Sequence, residues 1–193
     1  MVFSRIAEEI APFLLFFSRA RRLQRRAGEP DILKTAPNYA NYPTLTNEQL
    51  LQRLTEERQR GVALDEKTFK LTLSLAIGLT VLGTGASALV KEIPTAGGRL
   101  VVGAGLALSI SYILGGGFLA LGAMRSLPSY GYGTAMLLTA NDEMPDALAD
   151  ALARQEILNI VRTLRNEASY QMLRNGFVML LVTLAVFASL LAF

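Results

Sequence analysis

The stretch LTLSLAIGLTVLGTGASALV, residues 71–90, runs for 20 positions without a charged side chain, from Lys70 to Lys91. A hydrocarbon core of about 30 Å takes about 20 residues of helix to cross, so this run is long enough to span one. Leu100 to Met124 adds 25 uncharged residues between Arg99 and Arg125, and Asn175 to Phe193 adds 19 after Arg174. A buried helix in a water-soluble protein of 193 residues rarely stays uncharged so long, three times over. The expected fold class is therefore all-α: an integral membrane protein with three transmembrane helices and cytosolic amphipathic helices. The spans are expected at 71–90, 100–124 and 175–193, the first two as a hairpin within 67–124.

Cysteine and histidine are both absent. That removes thiol nucleophiles, disulfides, thiolate and imidazole metal sites and the usual haem ligands, so no cofactor is expected. The formal charge is only +3, and no nucleic-acid partner is expected. In residues 1–27, Ile10 to Phe17 is an apolar patch interrupted by Pro12, too short to span. The arginines follow it and no small-residue cleavage site appears, so it does not read as a signal peptide. The expectation is an interfacial helix, with Phe13, Leu14, Phe16 and Phe17 in the acyl boundary. Arg19, Arg21, Arg22, Arg25 and Arg26 would then meet anionic headgroups, at about 1 kcal/mol each. The competing reading packs this helix on the protein's own bundle.

Residues 28–46 hold Pro30, Pro37 and Pro43 and read as a linker. Thr46, with Gln49 three positions on, forms a capping box that opens a cytosolic helix over 47–62, with Gly61 expected to close it. Asp65, Glu66, Lys67 and Lys70 form a charged collar before the first span. Residues 125–174 read as a loop followed by a long amphipathic helix with an apolar stripe of Leu148, Leu152, Ile157, Ile160, Val161, Leu164, Ala168 and Met172. Asp142, Glu143, Asp146 and Asp150 crowd its start and arginines its remainder, which suits the helix dipole. At Gly176 this helix either hinges onto the last span or continues into it.

Small residues recur at four-residue steps on both arms of the hairpin: Thr72, Ala76, Thr80, Thr84 and Ala88, then Gly103, Ala107, Ser111 and Gly115. Such stripes let helices approach closely in lipid, where no hydrophobic force drives association. The two readings are stripe packed against stripe, or hydroxyls lining a polar path between subunits. No charged residue lies within any of the three runs, which argues against an intramembrane ion-pair site. Lys and Arg flank the first span on its N-terminal side and fill 125–174, while the hairpin loop holds only Lys91 and Arg99. The N-terminus is thus expected in the cytoplasm and Phe193 on the far side. That puts SYGYGT (129–134) on the cytoplasmic side, whereas potassium filters enter from outside behind a pore helix and begin Thr-Val. It reads as an interfacial turn.

Glycine-rich stretches such as LGGGFLALG lie inside a span, where no strand-to-helix nucleotide turn is available. Glu156 and Glu167 stand eleven positions apart on one helix without a cleft or metal ligands around them, and no enzymatic activity is expected. The most distinctive polar stretch is RQEILNIVRTLRNEASYQMLRNG, residues 154–176. Its Arg162, Arg165 and Arg174 are expected to bind lipid phosphates or a partner.

The order of cytosolic helix, tight transmembrane hairpin and long amphipathic helix, over residues 47–170, resembles the two-transmembrane effector modules of bacterial nucleotide-signalled antiphage systems. The third span departs from that pattern. The resemblance implies homo-oligomerisation and damage to the bacterial inner membrane on activation. It also implies a partner protein that senses the nucleotide, since no sensing domain is recognised here. The expected function is an oligomeric inner-membrane protein acting as a pore-forming or membrane-perturbing effector. The alternative is a non-catalytic accessory subunit of a larger membrane complex, its proline-rich segment draped on a neighbour. A transporter is weaker, because no inverted repeat or broken helix appears.

Overall fold

The computed structural model describes residues 11–26, 39–124 and 144–192, and these are helical without a strand among them. The elements are α1 (Pro12–Arg26), a 3₁₀ turn at Tyr39–Thr44, α2 (Asn47–Lys67), a π-helical segment (Thr68–Leu73), α3 (Ser74–Ala88), α4 (Ala96–Leu121) and α5 (Met144–Ala192). Short 3₁₀ turns at Leu89–Glu92 and Gly122–Met124 end α3 and α4. Three helical stretches are long and apolar enough to cross a membrane: α2 through Glu92, α4, and α5. The SYGYGT stretch, the acidic residues Asp142 and Glu143, and most of the proline-rich segment lie outside the described residues.

The capping box forms as the sequence predicts. The Thr46 backbone N–H donates to Gln49 Oε1 at 2.9 Å, and the Gln49 N–H donates to Thr46 Oγ1 at 3.3 Å. The helix does not close at Gly61 but runs on to Lys67. Glycine there serves close approach: a Cβ on Gly61 would stand 2.7 Å from Arg162 Nη1 and from Asn159 Oδ1. Nor does Gly176 break α5, which is one helix of 49 residues.

The chain divides into two units. The polar unit takes Phe16–Glu66 and the part of α5 up to Leu164. Its core joins Tyr42, Leu50 and Leu54 to Leu148, Ala149, Ala151, Leu152 and Ala153. Glu57 meets Asn159 and Asp65 meets Arg162, so α2 and this part of α5 lie side by side in the same direction.

The apolar unit contains Lys67–Met124 and Arg165–Phe193. Gly117 lies against Ala76 and Gly83 against Ile110, so α3 and α4 are antiparallel. Thr95 caps α4 by accepting from the Gly98 N–H, and Arg99 Nε donates to the Ile93 carbonyl at 2.7 Å, which ties the turn down. On its other side α4 runs antiparallel to α5, pairing Gly98 with Leu190, Gly105 with Thr183 and Gly116 with Leu173.

The π segment sets which side of α3 faces inward. Buried Leu54, Gly61 and Thr68 follow one another at steps of seven; the next in the row, Ala76 and Gly83, stand eight and then seven further on. A second row (Leu50, Glu57, Leu64, Thr72, Leu79) makes the same eight-residue step between Leu64 and Thr72. One extra residue is what a π turn inserts. Without it Leu75 and Leu82 would hold the inner places, and they are 52% and 64% exposed. The extra residue gives those places to small side chains, and α4 closes on them.

Candidate functional site

The buried polar groups gather in two places. In the polar unit, Asn159 is 2% exposed and its amide nitrogen donates to the Glu57 carbonyl at 2.7 Å and the Glu57 carboxylate at 2.6 Å. Its Oδ1 accepts from Arg162 Nη1 at 2.8 Å, and Arg162 Nε donates to Asp65 Oδ2 at 2.8 Å. Gly61 passes through the middle of this knot. Gln155, also 2% exposed, joins weakly through Nε2 to Asn159 Oδ1 at 3.4 Å. Tyr42 packs nearby: burial first, then its hydrogen bond to Glu156 and that residue's negative charge, push its phenol well above the usual range. It therefore stays a neutral donor. These hydrogen bonds fix the register of α2 on α5.

In the apolar unit two hydroxyls donate across helices to glycine carbonyls. Ser109 Oγ reaches the Gly176 carbonyl at 2.6 Å, and Ser169 Oγ reaches the Gly116 carbonyl at 2.7 Å; both serines are fully buried. Absence of a side chain on each glycine exposes the carbonyl to the serine. Most other span hydroxyls turn back on their own helix. Thr80 donates to the Ala76 carbonyl (2.8 Å), Thr84 to Thr80 (2.9 Å), Ser111 to Ala107 (2.8 Å) and Thr183 to Met179 (2.7 Å).

Of the small-residue stripe on the first arm, Thr72 and Ala76 are buried, Thr80 is half-buried and Thr84 and Ala88 are exposed. On α4, Gly103 and Gly115 are half-buried, with Gly115 against Met172, while Ala107 and Ser111 are exposed. Neither glycine of the α4 stripe lies against the first arm. The contacts run one register round, through Gly105, Ser109 and Gly116 toward α5 and Gly117 toward α3. Thr80 instead lines an open apolar groove of about 390 Å³ with Ile77, Val81, Leu114, Phe118 and Leu121.

These pairings set relative heights. Ser109 bonds to Gly176 and Ser169 to Gly116, while Leu190, Thr183 and Leu173 lie against Gly98, Gly105 and Gly116. Antiparallel counting therefore puts Arg174 level with about residues 111–114 of α4, Gln171 with about 114–117 and Glu167 with about 118–121. Phe118 and Leu114 are 64% and 43% exposed in the uncharged run of α4. Glu167 and Arg174 are exposed too, as is Tyr170 at 62%, with Gln171 partly so. At about 1.5 Å per residue, the level of Ser111 lies about 10 Å or more from either surface of a 30 Å slab placed anywhere within 100–124. Charged residues flanking the third run in sequence thus stand beside the apolar run of α4 in space. Sequence shows where each run ends but not how the helices are offset.

The predicted arginines separate. Arg162 and Arg165 are 7% and 6% exposed, and Arg162 is engaged with Asp65 and Asn159 rather than turned outward. Arg174 is exposed and donates to Asn175 Oδ1. Arg19, Arg21 and Arg22 are exposed on α1, whose range includes Arg25 and Arg26. On the same helix Leu14 is 69% exposed, Phe16 is buried at 8%, and Phe13 reaches Gly115. Among the described residues no three carboxylates gather as a metal site. No family model, curated protein or solved structure matches this chain.

Proposed function

We propose that the chain works by assembling with copies of itself in a bacterial inner membrane, as a non-catalytic, pore-forming or membrane-perturbing effector. The observation that carries this reading is the outer surface of the hairpin. Cβ atoms at Gly78, Gly85, Gly97 and Gly103 would meet nothing within 4 Å, and Ala107, Ser111 and Thr84 are exposed beside them. Glycine facing lipid makes no packing contact and lowers helix propensity, whereas glycine facing another helix permits the close approach that association in lipid needs. The polar unit, with arginines on α2 and on its part of α5, would lie in the cytoplasm and the hairpin turn on the far side. Arg19, Arg21 and Arg22, and Arg25 and Arg26 with them, would hold α1 to anionic headgroups. A partner that senses a nucleotide would trigger it, as the likeness to antiphage effector modules suggests.

Native mass spectrometry after mild extraction from the chain's own membrane tests this. A homo-oligomer is the expected result. A defined hetero-complex would instead make the chain an accessory subunit of larger machinery.

A further inference from the structure

The outer face of α5 changes character along its length. Glu167, Tyr170, Gln171 and Arg174 follow at helical spacing and are exposed or partly so; Val178, Leu181 and Val182 continue the same face and are 53%, 51% and 59% exposed. The polar part stands at heights where the exposed face of α4 is apolar, with Leu114 and Phe118. A charged or amide side chain left against hydrocarbon costs several kcal/mol, and ionisable groups at such depth are found facing a protein interior or water. Snorkelling toward the surface relieves a long side chain such as Arg174, but the short amide of Gln171 has no such reach.

We propose that this face is the wall of a water-filled vestibule formed where copies of the chain meet. It opens at the end where Lys70 and Arg165 lie, is lined by Glu167, Tyr170, Gln171 and Arg174, and is closed below by Val178, Leu181 and Val182. Narrow apolar constrictions exclude water, so the closed end gates the vestibule. The proposal rests on the homo-oligomeric reading above and adds which face turns inward and how deep water reaches.

The sequence contains no cysteine, so single substitutions report cleanly. Gln171→Cys, Tyr170→Cys, Phe118→Cys and Val182→Cys chains in vesicles, treated on both faces with a charged methanethiosulfonate reagent, give four rates. The thiolate is the reactive species and forms only where water reaches. Gln171→Cys and Tyr170→Cys are expected to react about tenfold or more faster than Phe118→Cys and Val182→Cys. A bis-maleimide should also link Gln171→Cys chains into dimers. Equal rates at Gln171→Cys and Phe118→Cys, slow or fast, would overturn the proposal. Native masses of the same variants separate the two claims. An oligomer with a slow Gln171→Cys leaves assembly standing and removes the vestibule. A monomer with a fast Gln171→Cys removes assembly and shows water arriving through a thinned bilayer instead.

Discussion

At single positions the glycines divide into those the packing requires and those it does not. Gly61→Ala forces its new methyl onto Arg162 and Asn159, both locked in further hydrogen bonds, and should destabilise the polar unit by about 1–3 kcal/mol. Gly103→Ala meets open space within one chain and should raise helix stability by about 0.5–1 kcal/mol in the dissociated protein. Thermal unfolding followed by circular dichroism in mild detergent reads both, and a stabilised Gly61→Ala would contradict the knot. Tyr42 carries a pH dependence whose sign is fixed. Its phenol ionises well above its usual value in the folded state, because it is buried beside the Glu156 carboxylate. Stability from this group is therefore complete below about pH 10 and falls as pH rises past it, since only the unfolded chain ionises freely. Tyr42→Phe should flatten that alkaline limb while lowering stability near neutrality by about 0.5–1.5 kcal/mol. Asp65 and Arg162 could not be paired from sequence, where Asp65 looks like part of a collar and Arg162 like a headgroup ligand; only the parallel course of α2 and α5 brings them together.

At the scale of elements, two features hold the apolar unit. The serine-to-glycine hydrogen bonds join α4 to α5, and Ser109→Ala or Ser169→Ala should each weaken it by about 0.6 kcal/mol, up to about 1.7. Ser111→Ala, whose hydroxyl bonds within its own helix, should change little. Unfolding titrated with a denaturing detergent distinguishes them. The π segment makes a stranger prediction. Deleting Lys70 removes one residue between the rows Leu54–Gly61–Thr68 and Ala76–Gly83, restoring steps of seven with the same small residues inside. Inserting one alanine after Lys70 turns everything beyond by about 100° and points Ala76 and Gly83 away from α4. The deletion should accumulate in the membrane and unfold near the parent's midpoint, while the insertion should not. The long uncharged runs made three helices long and apolar enough to span legible, and the Thr46 capping box was equally plain. The π turn left no signal, because it falls where the polar face of α2 gives way to the uncharged α3, and no periodicity continues across that change to register one extra residue. Gly61 gave the wrong signal, because a glycine ending a helix and a glycine permitting contact look alike in sequence.

For the molecule in its bilayer, the decisive quantity is an offset. The hairpin's second arm is uncharged from Leu100 to Met124, while α5, with Leu190 against Gly98 near the hairpin turn, is uncharged only from Asn175 on. At the other end, therefore, Glu167 to Arg174 stand level with the uncharged part of α4. Sequence could give the length of each run, but the offset depends on Ser109, Ser169 and the glycines Gly98, Gly105, Gly116 and Gly176 meeting across helices, which no periodicity encodes. In the assembly proposed above, a bilayer that matches the hairpin would leave the polar flank of α5 submerged, and copies that turn this flank toward one another would relieve the mismatch. A thinner bilayer relieves it without partners, by bringing the headgroups down to Gln171 and Arg174. Mismatch costs fractions of a kcal/mol for each ångström, so lengthening acyl chains by about 5 Å in total should shift the monomer–oligomer balance by about 1 kcal/mol or more. Energy transfer between labelled chains should accordingly rise from short-chain to long-chain phosphatidylcholine vesicles at fixed protein-to-lipid ratio. With Glu167, Gln171 and Arg174 all changed to leucine, that dependence should vanish, because nothing on α5 then resists hydrocarbon. If transfer fell with chain length in the parent, association would be driven by something other than this buried polarity.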